Sequence, residues 1–373
     1  MNELTLPLRN LWGRPIRTGL TTLGIAVAIA GFVALTGLTR GVEHSYSAGM
    51  EESGADLVVT QKNVFSLMSS SVPETLGPTL AAVAGVEAVS ATLLSITTVD
   101  DAANIVIAAW PRRSFLWQTV ELGEGRLPDD GENWEVVLGR TIAEALGKSV
   151  GDTVELQFQP YRIVGIAAFA TVLNQNIAMV PLEGLQELIG RQGAVTLYQV
   201  RLARPVDATG IAAVKARLSE AAVDYEVSVT SEFASNIRLI SLFQAIASTI
   251  SLVVLAMASI GVANTLLMAV NERTYEIGIL AALGWRPGRI LRLILIEGLV
   301  MSLLGGAIGI GLGIAVMHLA SRSHFAAGLM EPYLSASVVV EALISVLVAG
   351  PLGALYPAWR ATRIVPAEAL RMT

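Results

Sequence analysis

Gly147-Lys148-Ser149-Val150-Gly151 carries two chemical signatures at once. Its Gly-Lys-Ser resembles the end of a phosphate-binding loop, which needs another glycine five residues before the Gly of the Gly-Lys pair; position 142 is Ile. The same five residues spell Gly-x-Ser-x-Gly, the nucleophile elbow of hydrolases, which requires a strand, a turn and then a helix. The surrounding pattern predicts the reverse, a helix over Arg140 to Leu146 and a strand over Thr153 to Phe158. A tight helix-to-strand turn accounts for both glycines. The expectation is therefore no catalytic residue and no cofactor-binding residue in the chain.

Other reactive side chains are sparse. His44, His318 and His324 have no spacing that sets two ligands on one helix face, so no metal site is expected. With no cysteine in the sequence, thiolate chemistry and disulfides are excluded. Glu297 and Glu341 are carboxylates inside long apolar stretches, where an ionisable group is a candidate for function. Glu297 is read either as half of a structural pair or as a coupling residue, and Glu341 as a group that lines a cavity. Gly305, Gly309 and Gly313 recur every four residues and make a smooth stripe on one helix face, for packing within the chain or between subunits.

The elements that hold these residues are apolar in blocks. Of the 373 residues, 53% are hydrophobic and only 15% charged, with a mean hydropathy of +0.61, where a soluble domain carries about a quarter charged residues. Four blocks are long enough to cross a bilayer. The boundaries read as 1–17 for a cytoplasmic N-terminal segment, 18–39 for the first span and 40–238 for an outer domain. Then follow 239–271 for the second span, 272–291 for a cytoplasmic connecting segment and 292–319 for the third span. An outer loop over 320–334, the fourth span over 335–358 and a cytoplasmic tail over 359–373 complete the chain. The first block is longer than a signal-peptide core, so an uncleaved helix is expected.

Arginines set the orientation. Arg9, Arg14, Arg17, Arg273, Arg286, Arg289, Arg292, Arg360, Arg363 and Arg371 fall on one side, against Arg40, Arg238 and Arg322 on the other, ten to three. The rule that positive residues stay inside predicts both termini in the cytoplasm, in the cytoplasmic (inner) membrane of a multi-pass protein. The outer domain is acidic overall and is not built for nucleic acid.

The fold class expected is thus a membrane protein of four transmembrane α-helices with a large extracytoplasmic α+β domain between the first and second. Strands are predicted at Asp56 to Gln61, Val86 to Val99, Thr196 to Ala203 and Tyr225 to Val229, with helices at Glu74 to Ala84 and Asp207 to Ala222. Two β-α-β halves suggest a split ferredoxin-like layer. The insertion between them, about 104–194, carries a β-rich run over Asp152 to Ala168 and a helix near Leu182 to Ile189.

Asn271 to Ile290 is the most informative segment. A helix continues over Glu272 to Leu283 and stops at Gly284, with Ile277, Leu280 and Leu283 on one face. Such a helix lies on lipid or fills a partner's groove; Glu272 and Glu276 leave it without net positive charge, which favours the groove.

The run ERTYEIGILAALGWRPGRILRLILIEGLVMSLLGGAIGIGLG is similar to the signature of the MacB-like and FtsX-like ABC permeases, the mechanotransmission type. The opening RNLWGRPIRTGLTTLGIAVAIA, the run VVLGRTIAEALGKSVGDTVELQFQPYRIVGIA and the closing YPAWRATRIVPAEALR resemble the same family. The resemblance implies a permease that is not itself an enzyme. It implies a coupling role for Glu272, Arg273, Glu276, Ile277, Gly278, Leu280, Leu283 and Gly284. The implied partners are an ABC ATPase subunit on another chain, which holds ATP and Mg, and a second copy or a homologous permease. A periplasmic adaptor or another extracytoplasmic protein, and membrane lipid, are further partners. Two functions stay open: export or extraction of a hydrophobic or amphiphilic cargo, or a lever that activates an extracytoplasmic enzyme or sensor without transport.

Overall fold

The computed structural model describes residues 15–99, 103–321 and 334–365. In chain order the principal elements begin with α1 (Pro15–Glu52), β1 (Leu57–Gln61), α2 (Leu76–Ala81), β2 (Val86–Val99), β3 (Ala103–Trp110) and β4 (Leu122–Gly125). Next come β5 (Glu135–Gly139), α3 (Arg140–Leu146), β6 (Thr153–Leu156), β7 (Gln159–Ala167), β8 (Ile177–Pro181) and α4 (Leu182–Ile189). The chain continues through β9 (Leu197–Leu202), α5 (Ala208–Ala221) and β10 (Tyr225–Val229). It ends on four helices, α6 (Arg238–Glu272), α7 (Thr274–Ala282), α8 (Pro287–Ser321) and α9 (Ala336–Thr362). Two compact units result, a helical one built from 15–39, 244–321 and 334–365, and a sheet-rich one over 40–243.

In the helical unit α1, α6, α8 and α9 are long and apolar enough to cross a membrane. Each is longer than the span read from the sequence. Helix α1 continues to Glu52, thirteen residues beyond Thr39, because no proline interrupts the stretch and the first left-handed glycine is Gly54 at φ +69°. Helix α8 begins at Pro287, five residues before Arg292, since proline is tolerated in the first turn, where no intrahelical N–H is needed. The core of this unit gathers Ile25, Ile29 and Val33 of α1, Val262 and Leu266 of α6, Ile294 and Met301 of α8, and Val346 and Ala354 of α9. Because lipid is as apolar as leucine, these helices hold together by close packing rather than by burial from water.

The sheet-rich unit is organised by one long strand. The first half of β2 pairs antiparallel with β9, from Val86 opposite Leu202 to Thr92 opposite Leu197. Its second half pairs antiparallel with β3, from Leu93 opposite Ala109 to Val99 opposite Ala103. The sheet therefore runs β10-β1-β9-β2-β3-β8-β5-β7-β4 without a break, with β6 on β2 and β7. The first four strands, with α2 and α5 as crossovers, are the split β-α-β layer expected from the sequence. The insertion is not a separate sheet: it extends the same one, because β2 is long enough at 14 residues to serve both halves. Leu57, Leu93, Ile107, Leu138, Ile163 and Val200 are fully buried in its core.

Candidate functional site

The segment that joins α6 to α8 starts with a broken helix. Helix α6 ends at Glu272, and Arg273 leaves helical geometry at φ −109°, ψ 21° before α7 begins at Thr274. The continuous helix over Glu272 to Leu283 is thus corrected to two pieces with Arg273 at the break. Arg273 does not point to solvent. Its Nε donates to Glu276 Oε2 at 3.0 Å and its Nη1 to Glu297 Oε1 at 3.2 Å. One residue before the break, Glu272 accepts from Arg17 Nη1 of α1 at 2.7 Å. Glu297 is only 5% exposed, so of its two readings the structural pair is present, and the pair is made with the connecting segment itself.

The far end of α7 is closed by backbone hydrogen bonds. Gly284 adopts φ +86°, a conformation that favours glycine. Trp285 N–H then reaches Leu280 O at 3.1 Å, and Gly284 N–H reaches Ala281 O at 3.0 Å, the paired bonds of a glycine-terminated helix. Held at both ends, α7 shows one face inward and one outward. Ile277 and Gly278 are buried, Ile277 within the core of the helical unit, and Leu280 is half-buried. Tyr275, Ile279 and Leu283 are exposed, Leu283 by 74%. The exposed apolar face of α7 is therefore 275, 279 and 283, spaced four apart, and not 277, 280 and 283. Sequence reasoning missed it because the helix is apolar nearly all round, so periodicity alone did not say which side the bundle takes.

The remaining sequence-selected residues fall elsewhere. The glycines of α8 are absorbed inside the chain: a Cβ on Gly305 would lie 2.8 Å from Ile25, on Gly309 2.6 Å from Ala26 O, and on Gly313 2.7 Å from Val33. All three neighbours belong to α1. Glu341 is half-buried in α9, where its carbonyl accepts from Ser345 Oγ at 2.8 Å. His44 is exposed on α1, His318 Nδ1 lies 2.9 Å from Ile314 O, and His324 falls outside the described residues. Among the described residues no three His, Asp or Glu side chains come together as a metal would need. Gly147 closes α3 at φ +62°, Ser149 N–H donates to Asp152 Oδ2 at 2.8 Å, and Lys148 Nζ donates to Thr153 O at 2.6 Å. The motif is a turn from helix to strand.

A further open surface lies between α1 and α6. A groove of about 540 Å³ is lined by Thr21, Gly24 and Gly31 on α1 and by Met257, Gly261 and Asn264 on α6. A Cβ on Gly24, Gly31 or Gly261 would meet nothing within 4 Å. Unlike the α8 stripe, these glycines have no close neighbour among the described residues outside their own helix.

In the sheet-rich unit, one carboxylate missed by sequence reasoning ties elements together. Glu52, the last residue of α1, accepts from Ala170 N–H at 2.6 Å, Thr171 Oγ1 at 2.5 Å and Asn174 Nδ2 at 2.7 Å. No spacing in the sequence links Glu52 to a segment more than a hundred residues away.

These features define a multi-pass membrane protein with a folded domain between its first two long helices and a rigidly held connecting helix between the second and third. Residues 18–221 match the MacB-like periplasmic core domain, and residues 248–366 match the FtsX-like permease C-terminal region. The chain belongs to the MacB-like, FtsX-like family of ABC transporter permeases. It is 28% identical over 397 aligned positions to the macrolide export ATP-binding/permease protein MacB of Brucella abortus, with 98% of this chain and 59% of that protein covered. It is also 26% identical over 264 positions to an uncharacterized ABC transporter permease of Methanocaldococcus jannaschii, covering 67% of this chain and 65% of the relative. The chain thus spans about six tenths of the length of the MacB relative. The periplasmic region of MacB from Actinobacillus actinomycetemcomitans superposes with a TM-score of 0.39 at 17% identity, over 49% of this chain and 92% of that one.

Proposed function

We propose that this permease converts ATP hydrolysis by an ABC ATPase into movement of its sheet-rich domain, driving export or extraction of a hydrophobic or amphiphilic cargo. In this reading α7 and the chain termini are cytoplasmic, and the inserted domain lies outside the cytoplasmic membrane. The ATPase, which holds ATP and Mg, docks on the outward face of α7. Helix α7 passes the stroke to the bundle through Arg273 and Glu297. The permease works as a pair, with a second copy or a homologue seated on the groove between α1 and α6.

The observation that carries this reading is the face of Tyr275, Ile279 and Leu283: apolar, exposed, and on a helix fixed at both ends. Neither Glu272 nor Glu276 suits an anionic lipid surface. Burying a charge at the centre of a docked interface without a partner costs several kcal/mol, roughly 3–5. Leu283→Asp is therefore expected to abolish capture of the ATPase and stimulation of its hydrolysis. The exposed control Ala216→Asp on α5 should leave both intact. Normal assembly and stimulation by Leu283→Asp would remove α7 as the docking element. Retained ATPase stimulation with no cargo movement in proteoliposomes would replace transport by the lever function.

A further inference from the structure

Where β1 and the edge strand β10 meet the start of α6, the sheet-rich unit forms a pocket of about 220 Å³, space for roughly seven waters at about 30 Å³ each. Thr60 of β1 stands opposite Glu226 of β10, and Val58 opposite Ser228. Residues two apart on a strand share a face, so Thr60, Glu226 and Ser228 line one wall together. Leu67 and Phe233 are buried at its base, in one cluster with Val58. Asn63, in the left-handed region at φ +59°, turns the chain after β1. Leu239 N–H then donates to Phe65 O at 3.1 Å, which ties this loop to α6. Asn63 of the loop and Arg238 of the helix complete the polar lining.

These polar groups divide by chemistry. The Glu226 carboxylate and the Thr60 hydroxyl can accept hydrogen bonds, and the Asn63 amide and the Arg238 guanidinium can donate them. None of these four side chains has a hydrogen-bond or ion-pair partner among the described residues, whereas Ser228 is engaged within the chain. The carboxylate and the guanidinium are therefore not spent on each other, which suits a ligand carrying both an ammonium and an anion. Position narrows the class. The uncharged block 239–271 begins directly after Arg238, on a helix long and apolar enough to cross a membrane. Phe65 is 57% exposed and Leu242 45%, and Leu242, four residues on from Arg238, shares its helix face. Charge followed at once by exposed hydrocarbon is what a lipid headgroup and its acyl chains would cover.

We propose that this pocket holds the headgroup of an ethanolamine phospholipid. Its primary ammonium donates to Glu226 and Thr60, its phosphodiester accepts from Arg238 and Asn63, and its acyl chains leave over Phe65 and Leu242. A choline headgroup has no N–H to donate, and a glycerol headgroup has no ammonium to neutralise Glu226. The site rests on α6 crossing the membrane and not on the ATPase or the cargo, so it is assayed without nucleotide.

The test uses the full chain in nanodiscs with phospholipid probes that carry a diazirine in the acyl segment next to the glycerol. The headgroup is left intact as ethanolamine, choline or glycerol. Labelled peptides are mapped by mass spectrometry, and the yield at Phe65 is normalised to that at Leu352, an exposed residue of α9. The ethanolamine probe is expected to label Phe65 about tenfold more than either comparator, the worth of one hydrogen bond to a charged group. Glu226→Gln should bring the ethanolamine probe down to the choline level, and Arg238→Gln should lower all three probes. Thr60→Val removes one hydroxyl and keeps the test sound if Glu226→Gln lowers the melting temperature; it should reduce the ethanolamine yield about two- to tenfold. The exposed control Glu220→Gln on α5 should change nothing. Competition by soluble glycerophosphoethanolamine assigns the same chemistry to a soluble source, and competition only by the bilayer lipid assigns it to the membrane; both support the site. Equal normalised labelling by the three probes, or an ethanolamine preference indifferent to both Glu226→Gln and Thr60→Val, would overturn it.

Discussion

Arg273 sits at the break between α6 and α7 and joins a buried carboxylate of α8; in the proposed function it is the residue through which a load on α7 would enter the bundle. A charge-assisted hydrogen bond to a buried group contributes about 1.5–3 kcal/mol. Glu297→Gln and Arg273→Gln are each expected to lower thermal stability by about that amount and to reduce ATPase stimulation. The double variant should recover much of the stability, since it removes both charges together. Additive losses in the double variant would mean that the two side chains do not act as a unit. A second carboxylate gives a pH signature in the sheet-rich unit. Glu135 accepts both guanidinium nitrogens of Arg126, at 2.6 and 3.0 Å, and the Asp129 N–H at 2.8 Å. The Arg126 hydrogen bonds hold its carboxyl below the ordinary carboxylate range, with the backbone bond and nearby positive charge adding to the effect against burial. A lowered folded-state value means stability that is present above the unfolded value, about 4.3, and lost as pH falls through the folded one. The melting temperature of Arg126→Leu should therefore lie below that of the parent at pH 7, with the gap closing below about pH 4. A gap that stays constant with pH would rule out the carboxylate as its source.

At the scale of elements, the sequence located what repeats and left open what merely touches. The four long apolar blocks, the strand over Val86 to Val99 and the capped helix α5 follow from composition and periodicity, and Asp207 caps α5 as its position suggests, accepting from Gly210 N–H at 2.8 Å. Strands β3, β4, β5 and β8 were not predicted; in β5, Val136, Val137 and Leu138 are buried on both faces, so the pattern does not alternate. The inward side of α7 was illegible for a related reason, since an apolar segment with no polar face gives no phase. The glycines of α8 were legible as a stripe, but their neighbour was not; the structure supplies α1. A valine at 309 would drive its Cβ into Ala26 O, 2.6 Å away, and backbone cannot move aside as a side chain does. Gly309→Val is expected to cost about 1–3 kcal/mol and to lower the melting temperature of the detergent-solubilised chain, whereas Gly311→Val, with nothing within 4 Å, should not. Equal behaviour of the two variants would break the assignment of the stripe to α1.

For the whole molecule, orientation turns on which end of the helical unit carries the arginines. The contacts bring them together: Arg17 meets Glu272, Arg273 meets Glu297, and Ile277, Ile290 and Ala361 share one core cluster. Two more arginines at this end cover aromatic rings, Arg289 over Trp285 at 4.4 Å and Arg363 over Trp359 at 4.1 Å. Tryptophan beside arginine is the usual furniture of a membrane–water boundary, and an excess of arginine marks the cytoplasmic one. The sequence holds no cysteine, so single cysteines report topology without background. Glu220 on α5 and Arg286 beside α7 are both exposed. Glu220→Cys in intact cells is expected to react with a membrane-impermeant maleimide, after outer-membrane permeabilisation where such a membrane is present. Arg286→Cys should react only after the cytoplasmic membrane is broken. The reverse order of labelling would turn the molecule over, move α7 away from cytoplasmic ATP and remove the basis for docking an ATPase there, while leaving the fold and the family assignment untouched.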